Sequence, residues 1–88
     1  MAKLSDLQNI GRTLEARLVA AGIDTPEKLR ELGGREAFVR LRKADPGACI
    51  RELYALEGAI RGVRDAALPE EVKAELRVFH KSPGRARE

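Results

Sequence analysis

Six residues, Cys49, Leu53, Leu56, Ile60, Val63 and Ala67, recur at alternating steps of four and three. That spacing puts their side chains on one face of an α-helix. The stripe predicts a central helix over 48–66, about 27 Å long at 1.5 Å per residue, on which every other element can lean. Cys49, at the start of the stripe, reads as a small packing residue. With 88 residues in all, there is room for one core and one domain. Hydrophobic residues make up 43% of the chain, but only Phe38, Tyr54 and Phe79 are aromatic, so the core must be largely aliphatic.

The central helix contains Gly58 and Gly62, each costing about 1 kcal/mol of helix propensity relative to alanine. Ala55, Ala59, Gly62 and Ala66 form a small-residue face beside the leucines, which predicts close approach by another element of the same chain.

The remaining punctuation is helical too. Ser5 with Gln8 three residues on has the form of a capping box opening a short first helix. Asn9-Ile10-Gly11 then interrupts it with residues that tolerate a left-handed turn. Leu14, Leu18 and Ala21 mark a second helix from Arg12 that Gly22 stops. Thr25-Pro26-Glu27 combines an N-cap, an N1 proline and a dipole-matched acid, opening a third helix that closes at Gly33. A fourth runs from Arg35 to Ala44, with Ala37, Phe38 and Leu41 inward, and ends at Asp45-Pro46-Gly47. Beyond the central helix, Pro69 opens a last one with Val72, Leu76 and Phe79 inward. No strand-like alternation is found, so the fold class is all-α: a bundle of about five helices over 1–80, followed by a disordered basic tail over 81–88.

The formal charge of +3 is unevenly placed. Lys81, Arg85 and Arg87 against Glu88 account for two of the three charges, so the body is nearly neutral and any phosphate contact must be local. No run approaches the roughly 18 apolar residues of a membrane span, and no secretory signal opens the chain. A cytoplasmic protein without a membrane role is expected. One histidine, one cysteine and serines only at positions 5 and 82 offer no nucleophile–base arrangement and no ligand cluster. The sequence therefore predicts no catalytic residue, no metal and no cofactor: not an enzyme.

The best candidate for function is Leu7-Gln8-Asn9-Ile10-Gly11-Arg12-Thr13. Amides of a tight turn entering a helix N-terminus attract phosphate, and Arg12 and Thr13 would stand beside them. Gly11 is expected to set the turn, and Ile10 to plug the core and hold it. Arg17, one helical turn beyond Thr13, would add charge if it faces the same way. Asn9, Ile10, Gly11, Arg12, Thr13 and Arg17 are thus the candidate DNA-binding residues. Arg35, Arg40, Arg42 and Lys43, opposed by Glu36, read first as a solvated face.

The segments Leu7 to Glu15, Ala21 to Leu29, and Leu53-Tyr54-Ala55-Leu56-Glu57-Gly58-Ala59 together resemble the C-terminal domain of the TfoX/Sxy competence regulators, a similarity running from about Leu4 to Phe79. The Asn-Ile-Gly turn also resembles the general helix-hairpin-helix motif, with Asn9 in the position usually held by glycine and one such hairpin legible. The resemblance implies a SAM-like helical bundle with helix-hairpin-helix character. It implies regulation of DNA-uptake genes together with a transcription partner such as the cyclic-AMP receptor protein. The α/β domain that usually precedes this domain in the family has no counterpart in the sequence, which opens on Met1 a few residues before the first helix. The reading that results is a non-enzymatic module binding DNA phosphates weakly and without sequence readout. The alternative is a protein–protein interaction domain with no nucleic-acid contact, which a near-neutral body also fits.

Overall fold

Threonine, proline and glycine settle the longest helix. In the computed structural model, which describes residues 3–81, Thr25 Oγ1 accepts from the Lys28 amide at 3.1 Å and Pro26 occupies the first turn. From there α2 spans Pro26–Ala44. Gly33, at φ 82° and ψ 161°, lies in a region open essentially to glycine alone and kinks the helix in its middle. The third and fourth helices read from the sequence are the two arms of α2. Past the kink, Gly34 is buried, and a Cβ there would come within 3.2 Å of Glu57 Cα. The missing side chain lets α2 approach the next helix at backbone distance.

The order of elements is a 3-10 turn (Leu4–Asp6), α1 (Arg12–Ala20), α2, α3 (Ile50–Arg61), a second 3-10 turn (Asp65–Ala67) and α4 (Glu70–Lys81). Among the described residues there is no strand. The expected bundle of about five helices becomes four α-helices, because the first expected helix is a single 3-10 turn and the third and fourth are one kinked helix. Its cap is also different: the Lys3 amide donates to Asp6 Oδ2 at 2.9 Å, while Ser5 gives its own amide to Glu15 Oε2 at 3.1 Å. Lys81 belongs to α4, and the rest of the expected tail lies outside the described residues.

The stripe that predicts a helix over 48–66 overshoots at both ends. Cys49 is exposed and serves as the N-cap of α3, so its expected packing role is corrected; Ala48 is the buried neighbour. At the other end Gly62, at φ 77°, stops the helix, with Val63 N–H on Gly58 O and Gly62 N–H on Ala59 O. This is the 6→1 and 5→2 pairing of a Schellman cap. The chain turns there, so Ala66 and Ala67 are exposed and Leu68 enters the core instead. Periodicity runs unbroken through the turn because Val63 remains half-buried on the same side.

The same cap closes α1: Ile23 N–H reaches Leu18 O at 2.8 Å and Gly22, at φ 89°, gives its amide to Val19 O. Leu18 and Ile23 are both fully buried, the apolar contact that accompanies this motif. The core is aliphatic around Phe38, with Leu29, Leu41, Leu53 and Leu56 inaccessible and Leu76 and Phe79 of α4 closing it. Each such side chain contributes about 1.5–3 kcal/mol on burial. No helix among the described residues is long and apolar enough to cross a membrane.

Candidate nucleic-acid interface

Asn9 is the one described non-glycine residue with positive φ, at 71°. Its short polar side chain is among the few that accept this backbone. It therefore sets the turn that the sequence assigns to Gly11. Gly11 itself is extended (φ −93°, ψ −177°), and a Cβ there would meet nothing within 4 Å. Ile10 is 4% exposed and its amide reaches back to Leu7 O at 3.4 Å, so the core-anchor expectation holds.

α1 starts at Arg12 with Gly11 as a cap that has no side chain to offer. Its first-turn amides have no side-chain acceptor from the cap, and Arg12 and Thr13 beside them are exposed. A helix start of this kind carries partial positive charge and outward N–H groups.

The amide of Asn9 is spent inside the protein. Asn9 Nδ2 donates to Val63 O at 2.9 Å and lies 3.4 Å from Ala55 O; Asn9 Oδ1 accepts from the Asp65 amide at 3.0 Å. Asn9 thus holds both peptide groups that flank Arg64. Gly58 makes room for this: a Cβ there would lie 2.6 Å from Asn9 Nδ2 and 2.7 Å from Val63 O. The close approaches to α3 are thus at Gly58, which leaves room for the Asn9 side chain, and at Glu57, against which Gly34 of α2 packs. Of the expected small-residue face, Ala55 and Ala59 are buried while Gly62 and Ala66, past the end of the helix, are exposed.

Arg17 points to a different place. Its guanidinium hydrogen-bonds both oxygens of Glu52, with Nη2 at 3.0 Å from Oε1, and Nη2 lies 2.8 Å from Asp45 Oδ2. The fork ties α1 to the end of α2 and the start of α3. The hydrogen bond to Glu52 holds Arg17 more firmly protonated than a free arginine, against the opposing effect of its burial, and Asp45 adds to it. Its Nε is buried without a partner.

The second basic stretch is also engaged. Arg35 pairs with Glu75 at 3.4 Å and Arg40 with Glu36 at 3.5 Å, while Arg42 donates to His80 O and stands over the Phe38 ring, 5.5 Å from its centroid. Lys43 is exposed. Of the candidates, Ile10, Gly11, Arg12 and Thr13 form one turn, with Asn9 behind it and Arg17 apart from it. The sequence does not single out Arg64, which lies between the two peptide groups that Asn9 bonds. Gly62-Val63-Arg64 repeats the order turn residue, apolar residue, extended residue of Asn9-Ile10-Gly11, but the continuous stripe through Val63 conceals it.

The family model described as the TfoX C-terminal domain matches residues 1–80. Protein Sxy of Escherichia coli (strain K12) is 40% identical over 74 residues, 84% of this chain and 35% of that protein. The chain thus spans about a third of the length of that curated relative. A crystal structure of an uncharacterized protein from Listeria monocytogenes, in a triclinic form, superposes with a TM-score of 0.90 at 51% identity, covering 92% of each chain. A tetragonal crystal of a Listeria monocytogenes protein of unknown function gives 0.86 at 50% identity, covering 89% of this chain and 96% of that one. Because the match in sequence extends over the same residues that build the four helices, the chain belongs to the TfoX C-terminal domain family.

Proposed function

We propose that this chain is a non-enzymatic regulatory module that holds DNA backbone phosphates weakly through the Asn9–Thr13 turn, acting as the hairpin of a helix-hairpin-helix unit. It works beside a transcription regulator, such as the cyclic-AMP receptor protein, at genes for DNA uptake. The observation that carries this reading is the start of α1, where an uncapped helix end, extended Gly11 and exposed Arg12 coincide. Arg12 makes no ion pair among the described residues, so its charge is available to a phosphate. Phosphate contacts of this kind position a protein without reading sequence. Ile10 and Asn9 act from behind by keeping the turn in one conformation, and the engagement of Arg17 with Glu52 and Asp45 leaves Arg12 as the principal cation.

Fluorescence anisotropy of a labelled duplex, at about 50 and 200 mM salt, tests the reading; affinity should fall about 3-fold over that interval for each phosphate contact. Arg12→Glu is expected to abolish the salt-sensitive binding. Absence of binding by the unaltered chain at both salts would overturn it in favour of the protein-interaction reading, for which Val78 of α4, 66% exposed, is the first apolar contact to examine.

A further inference from the structure

The two turns held together by Asn9 have the same order of backbone states. In the first, left-handed Asn9 is followed by inward Ile10, extended Gly11 and the start of α1. In the second, left-handed Gly62 is followed by half-buried Val63, extended Arg64 (φ −68°, ψ 149°) and the 3-10 turn from Asp65. Asn9 links them by accepting from the Asp65 amide and donating to Val63 O, so the peptide groups on either side of Arg64 face the first turn. The Arg64 side chain is left exposed.

The pattern of ion pairing singles out the same place. Ten arginines lie among the described residues, and six of them (Arg17, Arg35, Arg40, Arg42, Arg61 and Arg77) are committed to carboxylates or a backbone carbonyl. The four with no such partner are Arg12, Arg30, Arg51 and Arg64. Two of these four flank the Asn9 dock: Arg12 three residues along the chain from it, Arg64 between the two groups it bonds. Arg61 also stands near the second turn, but Glu57 holds it at 2.7 Å.

We infer that Arg64 is a second phosphate-contacting residue, and that the docked pair of turns, rather than the first turn alone, forms the face that meets a nucleic-acid backbone. This rests on the DNA-binding reading and extends it from one turn to two. A rigid dock matters because fixing the spacing of two weak phosphate contacts before binding lowers the ordering entropy lost when both are made. Asn9, Gly58 and Gly62 then serve one end, the fixed placement of Arg12 relative to Arg64.

The test is the salt dependence of duplex binding by the full chain and by Arg12→Ala, Arg64→Ala and Arg51→Ala. Arg51 is an exposed, unpaired arginine in the first turn of α3, about 16 Å along that helix from Gly62. Circular dichroism confirms that each variant keeps its helix content. Loss of about one unit of slope in log affinity against log salt is expected for Arg12→Ala and again for Arg64→Ala, with Arg51→Ala unchanged. If Arg12→Ala loses slope and Arg64→Ala matches Arg51→Ala, the second contact is overturned while the hairpin reading stands. If the unaltered chain fails to bind, or neither Arg12→Ala nor Arg64→Ala changes the slope, both are overturned.

Discussion

Asn9 and Gly58 are fitted to each other across the fold: the side chain of Asn9 occupies the space that any Cβ on Gly58 would need, 2.6 Å from Asn9 Nδ2. A glycine inside a twelve-residue helix has its reason here. Its cost of about 1 kcal/mol in helix propensity is offset by the hydrogen bonds the vacant space admits.

Gly58→Ala is therefore expected to destabilise the protein by about 1–3 kcal/mol although alanine is the better helix former. Urea unfolding of Gly58→Ala, Asn9→Gly and the double variant checks this. Removing the Asn9 side chain should recover part of the Gly58→Ala cost, since only the Val63 carbonyl then remains in the way.

Asn9→Ala should cost about 2–4 kcal/mol, because it leaves the part-buried Val63 carbonyl and Asp65 amide without their partner and forces alanine to a φ of 71°. Asn9→Gly loses the same hydrogen bonds without that strain. It should be milder by about 1 kcal/mol in chemical denaturation. Equal losses would mean that the backbone of the turn relaxes.

Arg17→Met removes the fork between α1, Asp45 and Glu52. With Arg17 and Glu52 only about a quarter exposed, the expected loss is about 1–2 kcal/mol, read from the urea midpoint at constant slope. Its salt slope for DNA should stay that of the unaltered chain, unlike that of Arg12→Ala. A lower slope would return Arg17 to the interface.

His80, half-buried against the Phe38 ring at 5.7 Å between centroids, titrates below the ordinary imidazole value of about 6.5, through burial first and the nearby Arg42 charge second. The unfolded chain thus takes up a proton at higher pH than the folded one. The stabilisation by neutral His80 is fully present above about 6.5 and is lost as pH falls from there through the folded value. Unfolding midpoints at about pH 7.5 and 5.5 should differ more in the unaltered protein than in His80→Gln, which cancels the background of carboxylate titration.

Much of this fold is legible in local chemistry. Thr25-Pro26, Gly22 and Pro69 are read in the sequence as starts and stops, and each acts as one, because caps and φ limits are properties of a few adjacent residues; Gly33, read as a stop, kinks α2 instead. The inward positions Leu14, Leu18, Phe38, Leu53, Leu56, Leu76 and Phe79 follow from helical spacing in the same way. Three features do not. The end of α3 at Gly62 is invisible to periodicity, since Val63 continues the stripe after the chain has turned. The exposure of Cys49 depends on where the α2–α3 turn delivers it. The role of Asn9 depends on a carbonyl 54 residues away.

For the candidate interface the division is the same. The sequence by itself determined an aliphatic all-helical domain with a tight turn feeding α1 and an arginine at its mouth, because spacing, caps and turn residues act over a few positions. Only the tertiary structure decided which arginines are free and which are held. Ion pairs such as Arg17 with Glu52 and Arg35 with Glu75 join residues 35 and 40 positions apart, and their existence depends on how the helices pack. The same packing brings Arg64 to the side of the first turn, through a single asparagine side chain for which Gly58 leaves room.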